Sequence, residues 1–203
     1  MVLGDSGSGK STSLRNFEPG EVGVFNVTGK PMPFRKHLPQ AATSDYKAIK
    51  GKIEANDLRA YVVDDAGYLM QFDNFARAKV KGYDKFTEMA DSFYQLLRTA
   101  MATDADTVVY FLMHPDTDEQ GREKPKTIGK MLDEKLNVQG LFPIVIDCEV
   151  RDGAHVFVTK NDGFGIAKAP MDMLPDVMDN DLKAVDSAIR EYWGMAPLVK
   201  GGD

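Results

Sequence analysis

The chain has 203 residues, 43% of them apolar and 28% charged, which suits one globular domain able to fold without a disulfide or a structural metal. Its formal net charge of −6 excludes a generic nucleic-acid binder, so any such contact must come from local basic patches. The only cysteine, Cys148, excludes an intrachain disulfide, and no apolar run approaches the ~20 residues that cross a bilayer.

In chain order, strand and helix patterns alternate, which predicts an α/β fold with a mainly parallel sheet. Met1-Val2-Leu3 reads as a first strand, shorter than the about five residues usual for a buried one, so the start is expected to be truncated. A glycine-rich loop opens at Gly4, which leaves no signal-peptide pattern and points to the cytoplasm. A helix is expected over Lys10 to Asn16 and a buried strand over Val22 to Val27. Pro31, Pro33 and Pro39 predict irregular chain, and Tyr46 to Glu54 a short helix. Ala60 to Val63 is a second buried strand, ending in Asp64-Asp65. Asp84 to Met101 is an amphipathic helix whose Phe86, Met89, Phe93, Leu97 and Ala100 form one apolar face. Thr107 to Met113 is a third strand, ending at His114-Pro115. Asp116 to Lys126 reads as a charged loop and Thr127 to Leu136 as a helix. Phe142 to Val150 and His155 to Lys160 flank Asp152-Gly153, a hairpin signal. A last helix runs from Asn180 to Tyr192 with Leu182, Val185 and Ile189 inward. Cys148 lies in an apolar run and reads as a buried, inert thiol.

Gly4-Asp5-Ser6-Gly7-Ser8-Gly9-Lys10-Ser11 matches G-x-x-x-x-G-K-[ST] in full. Glycines let such a loop turn its backbone N–H groups toward phosphate oxygens, and the following helix presents its positive end to the same anion. Lys10 would reach the β and γ phosphates, Ser11 would ligate Mg²⁺, and Thr12 would bond the α phosphate. Asp64, ending an apolar strand downstream, is the expected second carboxylate, holding Mg²⁺ through water and placed on a strand beside the first. Asp65 either polarises the attacking water or caps a turn. His114 either senses the γ phosphate or is a satisfied buried histidine.

Two stretches are locally basic. Arg77, Lys79, Lys81 and Lys85 stand among Phe72, Phe75, Tyr83 and Phe86, and Arg122, Lys124, Lys126 and Lys130 cluster after His114. Basic residues interleaved with aromatics suit single-stranded nucleic acid, and a solvated surface is the competing reading. Lys160 is either an ordinary exposed lysine or a charge that completes the nucleotide site of a neighbouring subunit.

The order of these features resembles the ATPase core of RecA-type recombinases, and more closely the small phage-encoded nucleotide-binding proteins of that superfamily, some of them single-strand annealing recombinases. Gly4 to Ser11, Asn26-Val27-Thr28-Gly29-Lys30-Pro31, Lys126-Thr127-Ile128-Gly129-Lys130 and Thr159-Lys160-Asn161 carry the resemblance, which covers Met1 to about Trp193. It implies one RecA-like domain over residues 1–195, with a tail over 196–203. It further implies an ATP- and Mg²⁺-dependent ATPase that binds single-stranded DNA, assembles into a homo-oligomer and works in the host cytoplasm. A single-strand-binding protein is an implied partner. DNA would be held by Gly67 to Lys85 and Pro115 to Thr127, and Lys160 would match the lysine that contacts nucleotide across a subunit interface. Two features depart from the family. No glutamate follows the second strand, which reads Val27-Thr28-Gly29, so hydrolysis is expected to be slow. The segment that builds filaments has no counterpart before Met1, so assembly is expected to differ. The competing functions are a nucleoside monophosphate kinase, for which Arg122 is the only lid arginine, and a nucleotide-gated binding protein with little turnover.

Overall fold

The structure is a computed structural model that describes residues 1–161, 163 and 165–199. It is α/β. The strands are β1 (Val2–Leu3), β2 (Gly23–Asn26), β3 (Gln40–Ala42), β4 (Ala60–Asp64), β5 (Val108–Met113), β6 (Pro115–Thr117), β7 (Glu123–Pro125), β8 (Ile146–Arg151), β9 (Ala154–Val158) and β10 (Val177–Asp179). The α-helices are α1 (Tyr46–Ala55), α2 (Gly67–Ala76), α3 (Asp84–Met101), α4 (Lys130–Glu134) and α5 (Leu182–Trp193). An eight-stranded sheet runs in the order β10-β9-β8-β1-β5-β4-β2-β3, and β6 and β7 form a separate hairpin. From β8 to β3 every pairing is parallel, and β9 and β10 add an antiparallel edge.

Strand alternation explains the layers. Leu3, Tyr61, Val63, Phe111 and Met113 face one cluster, which α1, α2 and α3 close with Ile49, Ile53, Leu69, Met70, Phe93 and Leu97. Val2, Ala60, Val62, Tyr110 and Leu112 face the other, closed by Leu14, Phe17, Leu182, Val185 and Ile189. Both faces are covered, so the central strands are apolar at successive positions rather than at alternate ones. Each fully buried large side chain, such as Phe93 or Phe111, contributes about 1.5–3 kcal/mol of burial.

Several elements differ from expectation. The first helix is a six-residue 3-10 helix, Ser11–Asn16, closed at Phe17 in extended conformation. Pro19 follows closely and disfavours helix at Glu18, so the element cannot lengthen. β5 lies between β1 and β4, so the Asp64 strand is next but one to β1 rather than beside it. Gly67–Ala76 is helix α2, not loop, and it buries Leu69 and Met70. The charged loop after His114 is the β6–β7 hairpin. The helix expected over Thr127 to Leu136 shrinks to α4, because Gly129 at φ +91° is outside helical space. The Asp152-Gly153 turn is as expected, with φ of +51° and +79° matching a two-residue hairpin loop. Cys148 is buried.

The last helix ends at Gly194 in the left-handed conformation. Residues 196 and 197 are hydrogen-bonded to the domain. Ala196 N–H donates to Asp106 Oδ1, and the Pro197 carbonyl accepts from Arg59. Residues 200–203 lie outside the described residues. Among the described residues no helix is long and apolar enough to cross a membrane.

Candidate functional site

β1, β5 and β4 all run the same way, so the Gly4 loop, His114 and Asp64-Asp65 gather at one edge of the sheet, beyond its strand C-termini. The loop leaves β1 immediately. Gly4 is obligatory by packing: a Cβ there would lie 2.4 Å from Ser8 Oγ and 2.5 Å from the Cys148 carbonyl. Gly7 and Gly9 sit at φ +84° and +107°, which L-residues with a Cβ rarely adopt. Asp5, Ser6 and Gly7 are exposed, and Ser8, Gly9 and Lys10 are buried.

Lys10 spans the loop. Its Nζ donates to the Gly4 carbonyl (2.6 Å) and the Asp5 carbonyl (2.9 Å). Burial pushes its pKa down, opposed by the nearby charge of Asp65. Ser11 Oγ donates to Asp64 Oδ1 at 3.0 Å, joining the loop to the end of β4. Asp64 is 3% exposed, and desolvation, reinforced by Asp65, raises its pKa to about 6 against the Ser11 hydrogen bond. A buried carboxylate with this bias is stabilised by a cation.

Asp65 is the hub of the next layer. It sits at φ +60°, a left-handed conformation costing a residue with a Cβ on the order of 1–2 kcal/mol. Thr28 Oγ1 donates to its Oδ2 at 3.0 Å, and Lys30 Nζ lies 3.5 Å from the same oxygen. His114 Nε2 stands 3.5 Å from Oδ1, and the imidazole meets the Tyr68 ring edge-on at 6.0 Å. Burial lowers the His114 pKa, and Lys10 lowers it further. The turn-capping alternative for Asp65 describes its backbone, since Tyr68 N–H donates to the Asp65 carbonyl. Its carboxylate points elsewhere, to Thr28, Lys30 and His114.

Behind the loop, the Ser8 carbonyl accepts from Cys148 Sγ (3.2 Å) and contacts His155 Nδ1 (2.7 Å). Asn180, 2% exposed, donates to Cys148 Sγ at 3.2 Å, and Arg15 donates to the Asn180 backbone carbonyl. Sequence reasoning gave no site role to Thr28, Lys30, Tyr68, His155 or Asn180, although Thr28 and Lys30 lie in the Asn26 to Pro31 segment that carried the resemblance. Tyr68 lies one helical turn past Asp65, and the other four reach the site only by long-range pairing.

Mg²⁺ fits the donor set. Ser11 and Asp64 supply two oxygens. Two oxygens from a hydroxyl and a carboxylate suit Mg²⁺, which takes few protein ligands and completes its shell with phosphate and water. A triphosphate fits the loop by its glycine geometry and by Ser8 Oγ, which is buried with no hydrogen-bond partner among the described residues. The anion site draws little from a helix dipole, because six residues of 3-10 helix supply a weak one. An apolar cavity of about 520 Å³ near Val109, Phe142 and Trp193 lies at the opposite end of the sheet, and its walls do not suit phosphate.

No protein-family model matches the chain, and no curated protein matches it.

The remaining candidates divide. Lys79 and Lys81 are exposed beside Phe75 (77% exposed) and Tyr83 (87%), and Lys126 is also exposed. Arg77 instead pairs with Asp73 and Glu88, Arg122 with Asp118, and Lys124 with Asp133. Those three are held by carboxylates of their own chain, which weakens them as phosphate contacts. Lys160 is exposed and lies 3.3 Å from Asp176. The structure brings Lys10, Ser11, Asp64, Asp65 and His114 together. It does not bring Lys160, Lys79 or Lys81 to them within one chain, and Lys126 meets the His114 carbonyl through its backbone N–H.

Proposed function

We propose that this chain is a Mg²⁺-dependent ATPase of RecA-like type that binds single-stranded DNA and promotes annealing or recombination as a homo-oligomer. The observation that carries the reading is the 3.0 Å contact of Ser11 Oγ with Asp64 Oδ1, which joins the glycine loop to the Asp-ended strand. The backbone amides of Gly7 to Ser11 bind the phosphates, and Thr12 faces the α phosphate. Lys10 exchanges the Gly4 and Asp5 carbonyls for phosphate oxygens. Ser11 and Asp64 would hold Mg²⁺, which would neutralise phosphate charge. Asp65 accepts the proton of the attacking water. His114, between the loop and Asp65, reads the γ position and passes it to the β6–β7 hairpin, whose Lys126 N–H donates to the His114 carbonyl. Lys160 acts across a subunit interface. Phe75, Tyr83, Lys79 and Lys81 form the stacking and phosphate-pairing surface for DNA. Arg122, tied to Asp118 and Gln120 within its own hairpin, is not placed as the phosphate clamp a nucleoside monophosphate kinase needs.

The test is ATP hydrolysis with and without single-stranded DNA, on the wild type, Lys10→Ala and His114→Ala. The expected outcome is a DNA-stimulated rate that Lys10→Ala abolishes and His114→Ala leaves unstimulated. A Lys10-dependent rate indifferent to DNA would turn the assignment toward mononucleotide acceptors or protein partners.

A further inference from the structure

The turn after β2 carries no carboxylate, yet it is built around one. Asn26, 3% exposed, closes it: Nδ2 donates to the Lys30 carbonyl (2.6 Å) and to Gln40 Oε1 (2.9 Å), and Oδ1 accepts from Gly29 N–H (2.8 Å). Gly29 at φ +67° makes the turn tight. Thr28 and Lys30 therefore come off it on the same side, and both reach Oδ2 of Asp65.

We propose that the Asn26–Lys30 turn is a positioning device for the Asp65 carboxylate, with Thr28 and Lys30 as positioning residues and Asn26 as the clamp that sets them. The proposal rests on the reading of Asp65 as the group that acts on water. Such a group needs one oxygen anchored and the other directed. Thr28 and Lys30 anchor Oδ2, and Oδ1 is left toward His114. The two anchors differ in kind. The Thr28 hydroxyl sits on a short, stiff side chain and fixes direction. The Lys30 ammonium is 65% exposed, lies 5.4 Å from the Tyr68 ring centroid, and supplies charge on a flexible stem. The left-handed backbone of Asp65 also needs surroundings that over-determine it, and the turn provides them.

The experiment compares Thr28→Val, which keeps shape and removes the donor, with Thr28→Ser, which restores it, and with Lys30→Met. Thr28→Val and Lys30→Met should each lower kcat about tenfold, the equivalent of one lost hydrogen bond, with ADP affinity within about twofold of wild type. Thr28→Ser should recover the rate. Hydrogen exchange supplies a readout free of turnover: the amides of residues 65–67 should exchange faster in Thr28→Val and normally in Thr28→Ser. Wild-type kcat and exchange in Thr28→Val, or failure of Thr28→Ser to restore them, would overturn the proposal. Should the wild type show no Lys10-dependent hydrolysis, the ATPase assignment falls. The exchange comparison then decides the turn alone: faster exchange in Thr28→Val upholds it, and unchanged exchange overturns it.

Discussion

Buried charge is where single residues matter most. Arg190 and Asp186, one turn apart on α5, are 4% and 0% exposed. Arg190 Nε donates to Asp186 Oδ2 at 2.6 Å, and its other nitrogens donate to the carbonyls of Arg59, Asp106 and Ala196. Tyr110 Oη donates to Asp186 Oδ1 at 2.7 Å, and burial followed by the charge of Asp186 pushes the Tyr110 hydroxyl pKa well up. Every group is satisfied, so removing one partner strands the others. Asp186→Ala should cost about 3–5 kcal/mol and lower Tm by roughly 10 °C, read by thermal unfolding. A change under about 1 kcal/mol would mean water reaches the guanidinium after all. The inward Leu182, Val185 and Ile189 were legible in the sequence, and Asp186 and Arg190 were not. An i, i+4 ion pair is usually a surface feature, and only the packing of α5 against Arg59 and Asp106 buries this one.

At the element scale, legibility followed periodicity. The α3 stripe was readable because Met89, Phe93 and Leu97 recur at helical spacing and are all buried. α2 was missed because Gly67 opens it and Ala66 offers no side-chain cap, so nothing local announces a helix. Its identification moves the aromatic-basic segment. The loop expected over Gly67 to Lys85 narrows to residues 77–83, at the far end of a ten-residue helix that starts beside Asp65. A helix of that length spans roughly 15 Å, so the exposed ring of Phe75 is one helix away from the carboxylate. Phe75→Ala with Tyr83→Ala should weaken single-stranded DNA binding by about 30-fold or more, at about 1–3 kcal/mol for each of the two stacked bases, with Tm unchanged. Fluorescence anisotropy with a labelled oligonucleotide reads this. Unchanged affinity would remove the segment from the proposed DNA-binding surface.

For the whole molecule, the alternation of apolar strands and amphipathic helices made the class legible, and pairing order was the part that sequence could not supply. β5 between β1 and β4 is a long-range choice, made by Val2 and Leu3 pairing with Leu112 and Met113. Its consequence is chemical. It places His114 between the glycine loop and Asp65, so three strand ends converge on one spot. The motif residues were readable because their spacing is local. The Asn26 to Pro31 segment stood out, but the contacts of Thr28 and Lys30 with Asp65 were not readable, because they form only after β2 pairs with β4. The central claim is that this spot binds a magnesium nucleoside triphosphate through Lys10 and Asp64. Calorimetric titration of a non-hydrolysable ATP analogue with Mg²⁺ tests it most directly, on the wild type, Lys10→Ala and Asp64→Asn. Saturable binding at one site, lost in Lys10→Ala and no longer strengthened by Mg²⁺ in Asp64→Asn, is the predicted result. Absence of saturable binding, or binding that ignores both substitutions, would contradict the account.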